Sequence, residues 1–351
     1  MLRASLRVLM SMALMVGGCG ARPAPEEADT VRPSAHRASF SPEAPARTVG
    51  RTEGVWQAPA GLDQMRIWPG TAPDMTGWNH PPESVLVAET PEAIGGRYSE
   101  AVFDVASPTM TVFPPKGVST RAAVIVFPGG GFRAVVLTVG GTEICDWLTA
   151  KGITCILSKY RVPGTNHYWN EDCRCAVTPD IPRALQDAQR TIRLVRSRAR
   201  ELKIDPDKIG VMGFSAGGYL VAQASNIFKP AYAPVDAIDA ISSRPDFAVA
   251  VYPGHLCRSG DTIDPGIRVT HRTPPTFIAQ AWDDSVDPVC NSLVYAKALD
   301  AAKVSTELHL FATGEHNFGL RHPDKPVGAW RTLVEQWFVG LGILPPPVEE
   351  R

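Results

Sequence analysis

The feature that most constrains this chain is a glycine-flanked serine between a strand-like and a helix-like stretch. Residues 213–217 read G-x-S-x-G; they follow the apolar run 209–212 and lead into a helical pattern from Ala216 to Asn226. Small residues on both sides of a serine permit the sharp turn, called a nucleophile elbow, that exposes the hydroxyl above the end of a sheet. The bare pattern is weak, and the strand–turn–helix context makes it informative. We therefore predict that Ser215 is a nucleophile.

Composition allows a large enzyme domain and excludes one class of partner. The chain has 351 residues, 44% of them hydrophobic, and a formal net charge of −1. This length and apolar content suffice for a sizeable core. A balanced charge gives no general attraction to nucleic acid or to anionic membranes, so we expect no nucleic-acid partner.

The N-terminus predicts export. Residues 1–19 contain Arg3 and Arg7, an apolar segment over residues 8–16, and the ending Gly-Gly-Cys at Cys19. The apolar segment is too short for a good membrane span, and the whole resembles a bacterial lipoprotein signal with Cys19 as the lipidated residue. An ordinary signal peptide with an incidental cysteine is the alternative. This predicts a protein of the bacterial cell envelope, periplasmic or at the surface, that contacts the membrane only through a lipid anchor.

Two further regions follow the signal. Residues 20–60 are rich in Pro, Ala, Arg, Glu and Ser and have few large apolar groups, which predicts a disordered tether. Residues 61–346 alternate strand-like and helix-like stretches and form the predicted catalytic domain. Short apolar runs without alternation indicate strands covered on both faces. We predict an α/β fold with a mostly parallel eight-stranded sheet and helices on both faces.

The predicted elements have the following bounds. The strands are Ala101–Val105, Thr109–Phe113, Ala122–Phe127, Ile153–Lys159, Lys208–Met212, Phe247–Tyr252, Thr276–Gln280 and Thr306–Phe311. The helices are Glu143–Lys151, Ile181–Leu202 with Asp180 as N-cap, Ala216–Asn226, Ser292–Ala302 and Ala329–Leu341.

A serine hydroxyl needs a base and a group that orients the base, and in this type of fold the chain order is serine, acid, histidine. Asp283, Asp284 and Asp287 all follow the predicted strand at 276–280, and His316 lies in the loop after the strand at 306–311. Both loops leave the carboxyl ends of strands, where such sheets carry their active sites. We predict Asp284 as the acid, ahead of Asp283 and then Asp287, and His316 as the base. The other histidines considered lie within a strand or in loops outside the expected position: His309, His255 and His322.

Donors for an oxyanion are predicted in a second glycine-rich loop. Pro128 and three glycines, residues 129–131, follow the predicted strand at 122–127. Consecutive glycines let amide groups point into a site without obstruction by Cβ atoms. We predict the amides of Gly130, Gly131 and Ala216 as the donors. A plain turn or a phosphate-binding loop is the alternative, but neither a following Lys-Ser/Thr nor G-x-G-x-x-G is present.

The cysteines leave several arrangements open. Besides Cys19 there are six, at positions 145, 155, 173, 175, 257 and 290. In an exported protein they permit up to three disulfides. Cys145 and Cys155 are as compatible with buried free thiols as with a disulfide. We expect a bridge between the loop that holds Cys173 and Cys175 and either Cys257 or Cys290. A cysteine metal site is the alternative, but C-x-C lacks the usual spacing.

Together these residues resemble the α/β-hydrolase superfamily, and more closely its bacterial esterase branch related to acetylxylan esterases. The resemblance covers roughly residues 62–345. The matching stretches are residues 67–73, the Pro-Gly-Gly-Gly loop, 160–163, 185–190, 204–218, 252–254 and the loops of Asp284 and His316. It implies a serine esterase that removes short acyl groups, above all acetyl, from carbohydrates or similar alcohols, without a metal or cofactor. Catalysis would rest on Ser215, Asp284 and His316.

Other functions remain open. A peptidase of the prolyl-oligopeptidase type or a lipase would use the same fold, since one fold hosts many acyl chemistries. A non-catalytic binding protein of the cell envelope is the alternative from another class. The distances between Ser215, His316 and Asp284 distinguish a catalytic from an inert arrangement.

Overall fold

The computed structural model describes residues 49–88, 97–163, 168–170, 175–177 and 182–347. The predicted signal with Cys19, most of the predicted tether, and the predicted N-cap Asp180 lie outside the described residues. No helix in these described ranges is long and apolar enough to cross a membrane.

The centre of the protein is a mixed eight-stranded sheet. Its strands are β2 (Asp63–Arg66), β5 (Thr109–Phe113), β6 (Ala123–Phe127), β8 (Thr154–Lys159), β11 (Ile209–Phe214), β12 (Phe247–Val251), β15 (Thr276–Ala281) and β16 (Thr306–Phe311). Their spatial order is β16, β15, β12, β11, β6, β8, β5 and β2. The six strands from β16 to β8 run parallel; β5 pairs antiparallel with β8, and β2 pairs antiparallel with β5. The predicted α/β sheet, mostly parallel and eight-stranded, is confirmed.

Burial shows that the sheet is covered on both faces. Every residue of β6, β8, β11, β12 and β15 is buried. Successive side chains of a strand point to opposite faces, so burial of all of them requires a layer on each side. The helices that supply these layers are α1 (Glu143–Ala150), α2 (Pro182–Ser197), α3 (Ala216–Asn226), α4 (Cys290–Ala301) and α5 (Trp330–Gly340).

A second, four-stranded antiparallel sheet corrects two expectations. It consists of β1 (Gly50–Glu53), β3 (Ser84–Ala88), β4 (Ser99–Phe103) and β7 (Ala134–Val136). The strand predicted at Ala101–Val105 therefore belongs to this sheet, and β2 takes its place in the central one. The predicted tether is also too long, because β1 pairs with β3 and Trp56 is only 4% exposed.

The described residues also contain two antiparallel strand pairs: β9 (Tyr168–Asn170) with β10 (Cys175–Val177), and β13 (Cys257–Arg258) with β14 (Thr262–Ile263). The chain also forms a π-helical turn at Thr138–Thr142 and short 3₁₀ helices at Ala237–Ala240 and Pro326–Ala329.

A buried polar network ties three of the matching sequence stretches together. The Asp187 carboxylate accepts hydrogen bonds from Trp68 Nε1 (2.8 Å), the Arg161 amide (2.8 Å) and Arg161 Nε (2.9 Å). Arg190, one turn of α2 further on, donates from Nε to the Ile67 carbonyl at 2.9 Å. Asp187 is completely buried, and such a charge is tolerated only when paired and hydrogen-bonded. The network is structural, since none of its residues lines the cavity that contains Ser215.

Four of the cysteines form two disulfides, Cys145–Cys155 and Cys257–Cys290, with Cα–Cα distances of 5.2 and 5.8 Å. The predicted bridge from the loop of Cys173 and Cys175 to Cys257 or Cys290 is wrong, because the latter two are joined to each other. Asp261 lies beside them in a spacing that would suit a metal. Disulfide sulfurs have no thiolate to offer, so this cluster is not a metal site.

Candidate active site

The serine sits in a strained turn between β11 and α3. Ser215 has φ 54° and ψ −122°, a conformation that non-glycine residues rarely adopt. A Cβ on Gly213 would lie 2.1 Å from the Gly217 carbonyl oxygen, and one on Gly217 would lie 2.0 Å from the Phe127 carbonyl oxygen. Both glycines are therefore required by close backbone approach, which is the physical content of the sequence pattern.

His316 lies between the serine and a buried carboxylate. Its Nε2 is 2.9 Å from Ser215 Oγ, and its Nδ1 is 2.8 Å from Asp284 Oδ2. Asp284 is 6% exposed, and its other oxygen accepts the amides of Val286 at 3.0 Å and Asp287 at 2.9 Å. Those two bonds fix the carboxylate, so that it holds the imidazole with Nε2 directed at the hydroxyl. The structure thus brings the three predicted side chains together in one hydrogen-bonded chain.

Asp283, the second candidate for the acid, has another role. Its Oδ1 accepts the Glu315 amide at 2.7 Å from an exposed position. Glu315 has φ 54° and directly precedes the histidine. Asp283 therefore holds the turn that carries His316 and does not contact the ring.

His309, predicted to lie within a strand, is in β16 and away from the serine. Its ring contacts Phe277 with 5.2 Å between ring centroids, and its Nε2 lies 2.6 Å from Glu307 Oε1.

The glycine loop after β6 faces the serine. Gly130 has φ 134°, and a Cβ there would lie 2.1 Å from the Ala134 carbonyl oxygen. The Gly130 carbonyl accepts the amides of Arg133 (3.0 Å) and Ala134 (3.1 Å), and the Gly129 carbonyl accepts the amide of Val136 (2.9 Å). In a trans peptide the N–H points opposite to the C=O. The amides of Gly130 and Gly131 are therefore directed away from this turn, and both residues line the cavity with Ser215.

The third predicted donor follows the serine. The Ser215 carbonyl accepts the amides of Gly218 at 2.8 Å and Gly254 at 3.2 Å. The N–H of Ala216 lies on the opposite side of that peptide, and as the first residue of α3 it has no partner within the helix. Within the described residues, none of the three predicted donor amides bonds a backbone carbonyl outside regular secondary structure.

A fourth polar side chain, Asp287, completes the site. Its Oδ2 accepts a hydrogen bond from Ser215 Oγ at 3.3 Å and lies 3.7 Å from His316 Nε2. Burial, opposed by the nearby His316 and reinforced by Asp284, raises the pKa of the Asp287 carboxyl to about 6. From the sequence, Asp287 was predicted only as the last of three candidates for the acid that orients His316. The structure instead places it on the other side of the imidazole, beside the reacting atoms.

The cavity around the serine has a volume of about 230 Å³. Its walls include Tyr252, His255, Asp287 and Asn317 in addition to the serine, the histidine and the glycine loop. His255 was expected outside the site, but at φ 58° its backbone turns the ring onto Phe132 and Tyr219, with centroids 5.7 and 5.8 Å apart. No sequence signal identified this residue, because its position depends on a left-handed backbone within a loop.

Comparison with known proteins agrees with this fold. Two family models match: one described as BD-FAE over residues 112–229, and that of the prolyl oligopeptidase family over residues 185–341. The crystal structure of an acetyl ester-xyloside bifunctional hydrolase from Caldicellulosiruptor lactoaceticus is similar, with a TM-score of 0.61 and 30% identity. The match covers 80% of this chain and 97% of that one. The chain belongs to the α/β-hydrolase family.

Several of the similar proteins are named esterases. An acetylxylan esterase of Xylanibacter ruminicola is 29% identical over 271 residues, which are 69% of this chain and 49% of that protein. MGS-M1, an α/β hydrolase from a Medee basin deep-sea metagenome, has a TM-score of 0.53 and 26% identity, over 68% of this chain and 93% of its own. The chain thus spans about half the length of the acetylxylan esterase it resembles.

Proposed function

We propose that this protein is a serine esterase that hydrolyses short-chain esters, above all acetyl esters, of carbohydrates or similar alcohols. The observation that carries the proposal is the position of His316, at 2.9 Å from Ser215 Oγ and 2.8 Å from Asp284 Oδ2. This arrangement can activate a hydroxyl and return its proton to a leaving group.

In the first half of the reaction, Ser215 Oγ attacks the ester carbonyl while His316 Nε2 takes its proton. Asp284 holds the imidazole by its Nδ1–H and stabilises the imidazolium that forms. The negative charge on the former carbonyl oxygen is received by the amides of Gly130, Gly131 and Ala216. Nε2 then gives its proton to the departing alcohol oxygen, which leaves the acyl group on Ser215.

In the second half, a water molecule occupies the place of the alcohol. His316 Nε2 takes a proton from this water, the hydroxide attacks the acyl carbonyl, and the same amides receive the oxyanion. Collapse of the intermediate breaks the bond to Ser215 Oγ, which regains its proton from His316. The products are the free acid and the unchanged enzyme.

The substrate class rests on the similar proteins and on the size of the cavity. A hydrolase of acetyl esters and xylosides and an acetylxylan esterase are both similar to this chain. The cavity volume of about 230 Å³ is below the roughly 300–1,000 Å³ of typical small-molecule sites. A space of this size suits a short acyl group.

The test is hydrolysis of a p-nitrophenyl acyl series and of acetylated xylan, with Ser215→Ala as the control. We expect kcat/KM to be highest for acetyl, to fall with chain length and to be lost in the variant. A preference for long acyl chains would assign the enzyme to lipases. If folded protein hydrolysed no ester, the proposal would fail and a binding function would take its place.

A second function, peptide hydrolysis, is favoured by one observation. The prolyl oligopeptidase family model matches residues 185–341, which include Ser215, Asp284 and His316. Proline-containing dipeptide p-nitroanilides measured beside p-nitrophenyl acetate decide between the two. Amide turnover comparable to ester turnover would replace the esterase proposal, while turnover of the esters alone supports it.

We also propose that the enzyme is exported and held in the cell envelope by a lipid on Cys19. The support is the pattern of residues 1–19 and the composition of the segment that follows. Expression of the full chain in a bacterium fed a radioactive fatty acid tests this. We expect label on the protein and none on Cys19→Ala, and label on neither would contradict the anchor.

A further inference from the structure

Asp287 lies where the alcohol part of an ester has to pass. His316 Nε2 must come within hydrogen-bond reach of the leaving oxygen in order to protonate it. Asp287 Oδ2 is 3.7 Å from that nitrogen and 3.3 Å from Ser215 Oγ, and Asp287 lines the same cavity. A group on the carbon next to the leaving oxygen therefore comes into contact with this carboxylate.

The carboxylate has little to satisfy it within the protein. Asp287 is 5% exposed, and an ionised carboxyl has acceptor sites for about four hydrogen bonds. Among the described residues, its side chain accepts one hydrogen bond, from the Ser215 hydroxyl. The nearby charged groups are His316 at 3.7 Å and Asp284, whose Oδ1 is held by the Asp287 amide. A buried acceptor with so few partners favours a ligand that brings a donor.

The Ser215 hydroxyl has a single proton, and two neighbouring groups can accept it in a hydrogen bond. His316 Nε2 lies at 2.9 Å and Asp287 Oδ2 at 3.3 Å from Oγ. When the proton points to Asp287, it is unavailable to the base. A donor from the substrate that occupies Asp287 Oδ2 leaves the hydroxyl to His316, which is the arrangement that attack requires.

We propose that Asp287 is a specificity-determining residue that accepts a hydrogen bond from the free hydroxyl next to the scissile ester. The substrate class is thereby narrowed to monoesters of vicinal diols, such as a sugar ring acylated on one of two neighbouring hydroxyls. The inference rests on the proposed esterase function and deepens it. The neighbouring hydroxyl keeps its own proton throughout, while the proton of Ser215 passes to His316 and then to the leaving oxygen.

The test uses two acetates that differ only in the neighbouring hydroxyl: the monoacetate of a vicinal cyclohexanediol, and cyclohexyl acetate. Acetate release is measured for both with the full-length protein. A hydrogen bond to a charged group discriminates by a factor of about 10 to 100. We expect kcat/KM of the wild type to be higher for the diol monoacetate by a ratio in that range.

Two variants and one matched control assign the ratio to Asp287. Asp287→Asn keeps the shape of the side chain, and Asp287→Leu removes the acceptor. We expect Asp287→Leu to bring the ratio to within about threefold of one, and Asp287→Asn, which keeps a neutral acceptor, to give a ratio between those of Asp287→Leu and the wild type. Glu315→Gln removes a carboxylate next to His316 in sequence, from an exposed side chain, and is expected to keep the wild-type ratio.

The outcomes separate the two levels of the proposal. A wild-type ratio near one, or an unchanged ratio in both Asp287 variants, overturns the inference while the esterase function stands. If the wild type hydrolyses p-nitrophenyl acetate but neither of these two acetates, the inference fails while the esterase function stands; if it hydrolyses none of the three esters, both fail. A ratio that falls in Asp287→Asn and Asp287→Leu but not in Glu315→Gln supports the inference.

Discussion

Asp187 and Asp287 are both buried aspartates, but their surroundings differ. Asp187 is completely buried and accepts hydrogen bonds from Trp68 and from the amide and guanidinium of Arg161. Asp287 is almost as buried, yet its side chain receives one hydrogen bond, from Ser215. The first carboxylate is satisfied within the fold, whereas the second leaves acceptor sites directed at a cavity.

The number of hydrogen bonds that each carboxylate accepts distinguishes a structural from a functional aspartate. A satisfied charge fixes the elements that contact it and gains little from a ligand. An under-satisfied charge costs stability in the empty protein, because its desolvation is not fully compensated. Such a cost is typical of groups that act on a substrate. Asparagine variants of Asp187, Asp284 and Asp287 test this distinction.

The largest effect is expected for Asp284→Asn. Its amide group would donate to His316 Nδ1, so that the proton of the imidazole moves to Nε2 and the ring can no longer accept the proton of Ser215. We expect kcat for p-nitrophenyl acetate to fall by about 10⁴, with little change in the free energy of unfolding. A fall below tenfold would show that Asp284 does not orient the base.

The next effect concerns stability rather than activity. Asp187→Asn leaves the buried Arg161 guanidinium without its counter-charge, and breaking a buried pair costs about 3–5 kcal/mol. We expect urea denaturation to show this loss, while the activity per folded molecule stays near that of the wild type. A large loss of kcat in folded protein would instead connect Asp187 to the active site.

Gly130→Ala tests the glycine loop. The added Cβ would lie 2.1 Å from the Ala134 carbonyl oxygen, so the loop must shift and its amides move. Loss of one oxyanion donor lowers kcat by about 10²–10³, and we expect a fall of that size. Gly131→Ala meets no atom within 4 Å, although its φ is 61°, and should lose less. Equal activities of the two variants would contradict the role of the loop.

The smallest effect is the pH dependence of Asp287. Burial raises its pKa to about 6, whereas in the unfolded chain it is about 3.9. The folded state thus binds the proton more tightly; the resulting stability is complete below about pH 4 and is lost as pH rises to about 6. The loss amounts to about 3 kcal/mol.

Urea denaturation of the wild type and Asp287→Asn at several pH values measures this loss. The variant lacks this titration, so its free energy of unfolding minus that of the wild type should increase as pH rises from about 4 to about 6. Because both proteins share all other titrating groups, the difference between them isolates Asp287. A difference that stays constant with pH would contradict the raised pKa.

Much of the central sheet could be predicted because most of its strands are short apolar runs that are buried on both faces. β5, β16 and α3 have the predicted bounds. Strand β2, with the sequence DQMR, was missed because a short polar edge strand carries no alternation and depends on its pairing with β5. Part of the predicted tether folds for a similar reason, since β1 is held by pairing with β3 rather than by its own apolar content.

In the site, residue order and spacing placed Ser215 and His316 together, because a parallel sheet brings the loops after its strands to one edge. The role of Asp283 could not be predicted, since it depends on a hydrogen bond to the Glu315 amide 32 residues away. The pairing of Cys257 with Cys290 could not be predicted either, because cysteine spacing leaves the disulfide connectivity undetermined.

The close contacts of the elbow also limit how this enzyme can change over time. A Cβ added to Gly213 or Gly217 would lie only 2.1 or 2.0 Å from a backbone carbonyl oxygen, far inside van der Waals contact. These obstacles are backbone atoms, which no second substitution can shrink, so neither position has a compensating partner. Adaptation to a new ester therefore has to proceed through residues of the cavity wall, such as Val136, Val286, Asp287 and Asn317, while the turn itself stays fixed. A randomised library built on this chain should leave the turn alone and vary the walls.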